Sequence, residues 1–340
     1  MSSNKKIIHV LMILMALFLS LMVYLTYFQL FKAPKLAESG QNPRTALKEQ
    51  SIKRGDIVSA DGEKLAYSEF DGDRQIRNYP YGSLYSHVIG YSSQTYGKSM
   101  LENSYNGYIM GTGFSNQIFN LKQYISGEKK EGANLTLTID HKLQKKAAEL
   151  MNGKNGAVVA INPKTGATLA LLSNPSYDTN EKSLKENWAK LAESEDSVFL
   201  ARATSGLYAP GSVFKTVTAA SAVENRLDDM KFEDNGSVYV DSHEFKNYGG
   251  KKHGNIDIYQ GFAVSSNVVF VTLADKLGYS KLSATAKNFM IGEKINYDVP
   301  LQTGQILKDN KKTNVAAVGM GQGDLLVTPM NMALVASAIA

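Results

Sequence analysis

Residues Ile7 to Phe28 read IIHVLMILMALFLSLMVYLTYF, a run without formal charge whose strongly polar breaks are His9, Ser20 and Thr26. As a helix rising 1.5 Å per residue it reaches roughly 33 Å, enough to cross a hydrocarbon core of ~30 Å. Tyr24, Tyr27 and Phe28 crowd one end, as an aromatic belt at a membrane interface would. Lys5 and Lys6 precede the run, which keeps the N-terminus cytoplasmic and sends the rest of the chain across the membrane. Lys32 and Lys35 on the far side weaken that asymmetry without reversing it. A cleaved signal peptide would have a shorter apolar core followed closely by an A-x-A site. Neither is present, so residues 1–31 are read as a short tail and a single uncleaved anchor in the cell membrane.

The chain has 340 residues, too many for one small domain, so two or more folded units are expected beyond the anchor. With 43% hydrophobic and 20% charged residues it buries a real core, which excludes wholesale disorder and low-complexity architectures. The net charge of +5 is too mild to imply nucleic acid, and no Arg-rich run supports it. Cysteine is absent, which removes disulfide scaffolds, thiolate zinc sites and Cys nucleophiles together. The histidines at 9, 87, 141, 243 and 253 form no paired ligand spacing, so no metal is expected.

From Ala33 to about Gly132 the chain is polar and turn-rich, with Asn42-Pro43, Asp61-Gly62, Tyr79-Pro80-Tyr81-Gly82 and Gly111-Thr112-Gly113. Asp56-Ile57-Val58 and His87-Val88-Ile89 read as short strands between turns, within an α+β module. A change follows at Asn134: LTLTID alternates like a strand, and His141 opens an amphipathic helix through Met151. Gly156 to Ser173 is two apolar β-rich runs joined by Asn162-Pro163-Lys164-Thr165-Gly166, which predicts a hairpin. Residues 178–200 are charged and read as a surface excursion, with Trp188 uninformative on its own.

The sharpest chemical feature is Tyr208-Ala209-Pro210-Gly211-Ser212-Val213-Phe214-Lys215, followed by an apolar helical run to Val223. Pro210 and Gly211 end the preceding segment and put Ser212 at a helix N-terminus, where free N–H groups favour developing negative charge. Lys215 lies one turn later and is placed to act as base for a serine nucleophile. It would have to be neutral, which requires desolvation or a nearby cation. S-x-x-K alone says little, since Ser2/Lys5, Ser3/Lys6 and Ser126/Lys129 match it too. The plain account of such a serine is a helix cap beside a solvated lysine. Context argues otherwise here: a lysine opening an otherwise apolar helix is costly to place unless it is used. Ser265-Ser266-Asn267 sits between two apolar helical runs, a poor place for three polar residues unless they face a cleft; the plain account is a turn with Ser265 as cap. Gly319-Met320-Gly321-Gln322-Gly323, between a strand-like NVAAV and a helix, lacks phosphate-loop spacing and reads as a tight turn.

With these motifs in place the chain resembles the penicillin-binding proteins and serine β-lactamases, whose set is S-x-x-K, S-x-N and K-T-G. Arg54-Gly55-Asp56-Ile57, Arg77 with Tyr79-Pro80-Tyr81-Gly82, His87 and Gly90-Tyr91, and Gly97, Leu101-Glu102, Tyr105-Asn106 and Gly111 resemble the N-terminal module of class B enzymes. The TID-x-x-x-Q run at 138–144, Gly156 to Asn180, Arg202-Ala203, the Ser212 run and Gly319 to Pro329 resemble a transpeptidase domain. The resemblance implies an α+β fold: anchor 1–31, an extended pedestal or dimerisation-type module 32–135, and a penicillin-binding domain 136–340 of helices around an antiparallel sheet. It implies a DD-transpeptidase that cross-links peptidoglycan stem peptides ending in D-Ala-D-Ala, with Ser212 as nucleophile, Lys215 as base, Ser265 as proton relay and Asn267 holding Lys215 and the substrate. β-lactams would acylate Ser212, no cofactor is needed, and partners would be the bilayer, a membrane glycosyltransferase and other cell-wall synthesis proteins. A DD-carboxypeptidase or β-lactam-hydrolysing relative, and a catalytically silent scaffold or β-lactam sensor, are the alternatives. Lys164-Thr165-Gly166 spells K-T-G but precedes the nucleophile, whereas the family's motif follows S-x-N on a later strand. On this resemblance that strand lies beyond Ala340, the chain is C-terminally incomplete, and residues 33–340 alone are expected to be aggregation-prone and not to acylate.

Overall fold

The computed structural model describes residues 3–32, 52–72, 74–111 and 131–340. The turn at Asn42-Pro43, Thr112-Gly113 and the Ser126/Lys129 pair lie outside the described residues. Ser3–Tyr27 forms helix α1. Its stretch Ile7–Tyr27 has a mean hydropathy of 2.5 over 21 residues and every side chain exposed, long and apolar enough to cross a membrane.

The first module is built on a sheet of β1 (Ile57–Val58), β2 (Lys64–Asp71) and β3 (Arg74–Asn78). Against it sit the short helix α2 (Met100–Ser104) and β4 (Leu135–Thr136). The strand order is β3-β2-β1-β4, antiparallel except for the parallel β1–β4 pair. LTLTID therefore contributes two paired residues, and the next one reaches Val58 through a single Leu137 N–H bond of 2.8 Å. His87-Val88-Ile89, read as a strand, is a turn instead. The N–H groups of Val88 and Ile89 both donate to the Tyr85 carbonyl, at 3.0 and 2.8 Å, and Gly90 follows at φ +76°. Burial in the module core, rather than strand pairing, makes that segment apolar.

Helix α3 (His141–Met151) forms where the amphipathic pattern places it, capped by Asp140, whose carboxylate accepts the Leu143 N–H at 2.8 Å. Strands β5 (Gly156–Ile161) and β6 (Thr168–Asn174) make the expected antiparallel hairpin. Its turn closes through Gly166 N–H to Asn162 O at 2.8 Å, with Gly166 at φ +72°. The charged stretch read as an excursion contains a docked helix, α4 (Glu181–Ala192). Leu184 is fully buried, and Trp188 stacks on Tyr96 at 3.8 Å and meets Tyr91 edge-on, so one face pins the helix to the first module.

The remainder is helical with small sheet pieces. Helix α5 (Lys215–Glu224) is followed by β7 (Lys231–Asp234), β8 (Ser237–Val240), β9 (His243–Lys246) and β10 (Gly254–Asp257), pairing as β8–β9 and β7–β10. Then come α6 (Ile258–Ala263), α7 (Asn267–Asn288, broken at Gly278), α8 (Lys312–Gly319) and α9 (Pro329–Ile339). NVAAV, strand-like by composition, lies within α8; a short buried apolar run carries no periodicity that separates strand from helix. Gly319 at its end packs so closely on Ala274 of α7 that a side chain there would overlap it. One core joins Ile57, Leu65 and Ile89 to Leu171, Ala203, Val299 and Met330, so the two regions read separately in the sequence share their interior.

Candidate active site

Ser212 sits in a 3-10 turn, Gly211–Phe214, that runs directly into α5. Two backbone contacts fix this turn. Tyr208 and Val327 exchange N–H···O bonds of 2.9 Å in both directions, and the Gly211 N–H donates to Gly321 O at 2.8 Å. Gly211 is at φ +62° and Gly321 at φ +90°, and a side chain on Gly321 would overlap the Gly211 carbonyl. The glycine-rich turn at 319–323 is thus a backbone support for the Ser212 turn. Local spacing offered no sign of this, because the support comes from over a hundred residues away.

Lys215, the first residue of α5, is 2% exposed. Its ammonium donates to Ser265 O at 2.7 Å, Ser265 Oγ at 3.1 Å and Asn267 Oδ1 at 2.7 Å, and lies 5.7 Å from the Phe270 ring centroid. Among the described residues no carboxylate pairs with it. Burial therefore pushes its pKa down to about 8. Ser265 is held at φ +56°, a conformation rare outside glycine, between α6 and α7. The helix cap is Ser266, not Ser265: its hydroxyl accepts the Val269 N–H at 3.1 Å and leaves the Ser265 side chain exposed toward Lys215.

The structure thus brings Lys215, Ser265 and Asn267 into hydrogen-bond contact. Ser212 shares their clefts, one of about 790 Å³ with Val213, Phe262 and α9, the other of about 390 Å³ with Asn247, Lys251 and His253. Ser212 is exposed, and among the described residues its hydroxyl is engaged by no hydrogen bond. Lys164-Thr165-Gly166 lies elsewhere. Gly166 lines a separate cavity of about 340 Å³ with Tyr105, Tyr297 and Asp298. Among the described residues no cluster of His, Asp and Glu could hold a metal. Two buried groups escaped the sequence reading, Asp234 and Asn247, which stand behind Ser266 and Asn267.

Residues 156–340 match the penicillin binding protein transpeptidase domain, and residues 54–135 match the penicillin binding protein A dimerisation domain. A peptidoglycan D,D-transpeptidase PbpA of Mycolicibacterium smegmatis is 32% identical over 99% of this chain and 72% of its own length. A peptidoglycan D,D-transpeptidase MrdA of Acinetobacter baumannii is 26% identical over 77% of this chain and 45% of that one. The imipenem acyl-enzyme complex of penicillin-binding protein A from M. tuberculosis superposes with a TM-score of 0.81 at 28% identity, covering 86% of this chain and 72% of that one. The chain belongs to the penicillin-binding proteins, as a class B serine D,D-transpeptidase.

Proposed function

We propose that Ser212 is the residue acylated in this transpeptidase and that Lys215 is its base. The observation that carries this reading is the buried Lys215 ammonium, one turn after an exposed serine and surrounded by neutral acceptors that leave its pKa at about 8. A protonated Lys215 fills all three donors with Ser265 O, Ser265 Oγ and Asn267 Oδ1. Once neutral, it donates two bonds and turns a lone pair outward. Ser212 Oγ then attacks the carbonyl between the two terminal D-alanines of a stem peptide as its proton passes to Lys215. The C–N bond breaks, and Ser265 relays the proton taken up by Lys215 to the leaving nitrogen, so D-alanine departs as the free amine with its carboxylate still ionised. The Ser212 N–H supplies part of the oxyanion hole at the start of the turn. The amine of a second stem peptide attacks the acyl-enzyme and regenerates the Ser212 hydroxyl. A β-lactam stops at the first stage as a stable acyl-enzyme, as the relatives' complexes with imipenem and ceftriaxone support.

The same reading divides the chain at 1–31, 32–135 and 136–340, with the N-terminus cytoplasmic and the catalytic domain outside the membrane. A glycosyltransferase must polymerise the strands that this step joins, which makes such an enzyme and other cell-wall proteins its partners. In the intact protein, Ser212→Ala abolishes covalent labelling by fluorescent penicillin while membrane insertion is unchanged. Labelling that survives this change sinks the assignment. Product analysis with an added amine acceptor separates transpeptidation, which yields the amide, from carboxypeptidation, which yields the free acid.

A further inference from the structure

Behind the Ser265–Asn267 segment lies a buried polar cluster that none of these steps uses. Asp234, at the end of β7, is completely buried. Its two carboxylate oxygens accept from Gly236 N–H at 2.9 Å, from Asn247 Nδ2 at 2.8 and 2.9 Å, and from the Ser266 hydroxyl at 2.7 Å. Every one of these partners is a donor, so Asp234 acts purely as an acceptor. That polarity propagates. Asn247 spends its NH2 group on Asp234 and on the Lys251 carbonyl at 2.8 Å. Its own carbonyl oxygen is thereby turned toward the first N–H groups of α7, Asn267 at 2.7 Å and Val268 at 3.2 Å. Ser266, its hydroxyl hydrogen committed to Asp234, presents a lone pair to the Val269 N–H. The opening N–H groups of α7 are thus capped by two side chains that Asp234 orients. The helix start so fixed carries Asn267, whose amide also donates to Lys246 O at 2.8 Å and whose carbonyl receives Lys215.

We propose that Asp234 is a positioning residue for acylation: by fixing the Asn247 amide and the Ser266 hydroxyl it sets where the Ser265 and Asn267 oxygens stand around the Lys215 amine. The inference rests on the role assigned above to Lys215. Ser265 is the place where such control matters, because its positive φ persists only if the segments on either side are held. A carboxamide at 234 would face Asn247 with a donor on one side. Flipping the Asn247 amide to relieve that contact would aim its NH2 at the N–H groups of Asn267 and Val268. Neither arrangement satisfies every group, so the start of α7 shifts.

The test exchanges the polarity of the pair in the intact protein. The apparent Kd and the limiting acylation rate for a chromogenic cephalosporin are measured for wild type, Asp234→Asn, Asn247→Asp and the double variant. In the double variant the carboxylate now at position 247 accepts from α7 and from the carboxamide now at position 234, which re-creates one acceptor and one amide with their places exchanged. Each single change is expected to slow limiting acylation about 10- to 100-fold while Kd stays within about 3-fold. The double variant should recover at least about 10-fold over Asn247→Asp. Singles that acylate at near wild-type rate, rates that fall only as Kd weakens, or a double variant no faster than the slower single would each overturn the proposal. Ser212→Ala runs alongside: if it still labels, the nucleophile assignment fails, whereas a dead Ser212→Ala beside a normal Asp234→Asn defeats the positioning role alone.

Discussion

Among the described residues the hydrogen-bond partners of the Lys215 ammonium are neutral oxygens of Ser265 and Asn267, so no carboxylate opposes the effect of burial, which holds its pKa down to about 8. Below that value the lysine is protonated and cannot act as base; above it the amine is free. Acylation by penicillin should therefore rise with pH, bend near 8 and level off, as a stopped-flow pH profile would record. Asn267→Asp places a carboxylate where Oδ1 now lies, 2.7 Å from the amine, and an anion there favours the charged lysine. The bend should move to higher pH and acylation at pH 7 should fall about tenfold or more, and an unmoved bend would show that Lys215 is not the titrating base. Lys215→Arg keeps the charge but stays protonated at any usable pH, so it should acylate as slowly as Lys215→Ala. An Arg variant with near-normal rate would reduce Lys215 to a fixed positive charge.

At the level of elements, two glycine-bearing segments that both read as turns in the sequence have opposite surroundings. Gly166 in the β5–β6 turn has φ +72° and open space around it, whereas Gly321 has φ +90° and the Gly211 carbonyl against it. Gly166→Ala should cost about 1 kcal/mol of strain and leave acylation unchanged, even though it alters the literal K-T-G. Gly321→Ala adds a steric collision to the strain, pushes the Ser212 turn away, and should cut acylation about 10- to 100-fold. Melting curves and labelling rates on the two variants decide; a catalytic loss at Gly166→Ala would return Lys164-Thr165-Gly166 to consideration. The contrast also marks what local reading can reach. The β5–β6 hairpin, α3, α5 and α9 were legible because periodicity, caps and turn formers act over a few residues. The Gly211–Gly321 contact and the docking of α4 through Trp188 join segments distant in the chain, and the Asp234–Asn247 pair meets across the β8–β9 hairpin; none leaves a local pattern. Val-rich NVAAV went astray for the related reason that burial, not pairing, selects its composition.

On the scale of the whole molecule, the first module and the domain carrying Ser212 are fastened by polar bonds as well as by their common core. Tyr79 N–H donates to Asn180 Oδ1, and Asn180 Nδ2 donates back to Tyr79 O, both at 3.0 Å. His87 Nε2 donates to the Val198 carbonyl at 2.8 Å. Tyr79 in turn belongs to the most buried charge cluster of the module, donating its hydroxyl to Glu102 Oε1 at 3.2 Å. Glu102 is completely buried between two guanidiniums, with Arg54 Nε at 2.7 Å and Arg77 Nε at 2.8 Å. Burial alone would raise its pKa, but the Arg54 and Arg77 charges reverse that and hold it at about 2. An acid whose folded pKa lies below its unfolded value stabilises the fold above the unfolded pKa, and that contribution disappears as pH falls through the folded one. Glu102→Gln leaves two buried cations without their anion and should cost about 3 to 5 kcal/mol at pH 7. The protonated wild type approaches the same condition in acid, so the two proteins should converge there. Thermal melts of both in detergent, from pH 7 down to pH 2, are expected to show a Tm gap that is constant to about pH 5 and then narrows. A gap that stays the same throughout would mean that Glu102 holds the module by shape and hydrogen bonding, with no contribution from its charge.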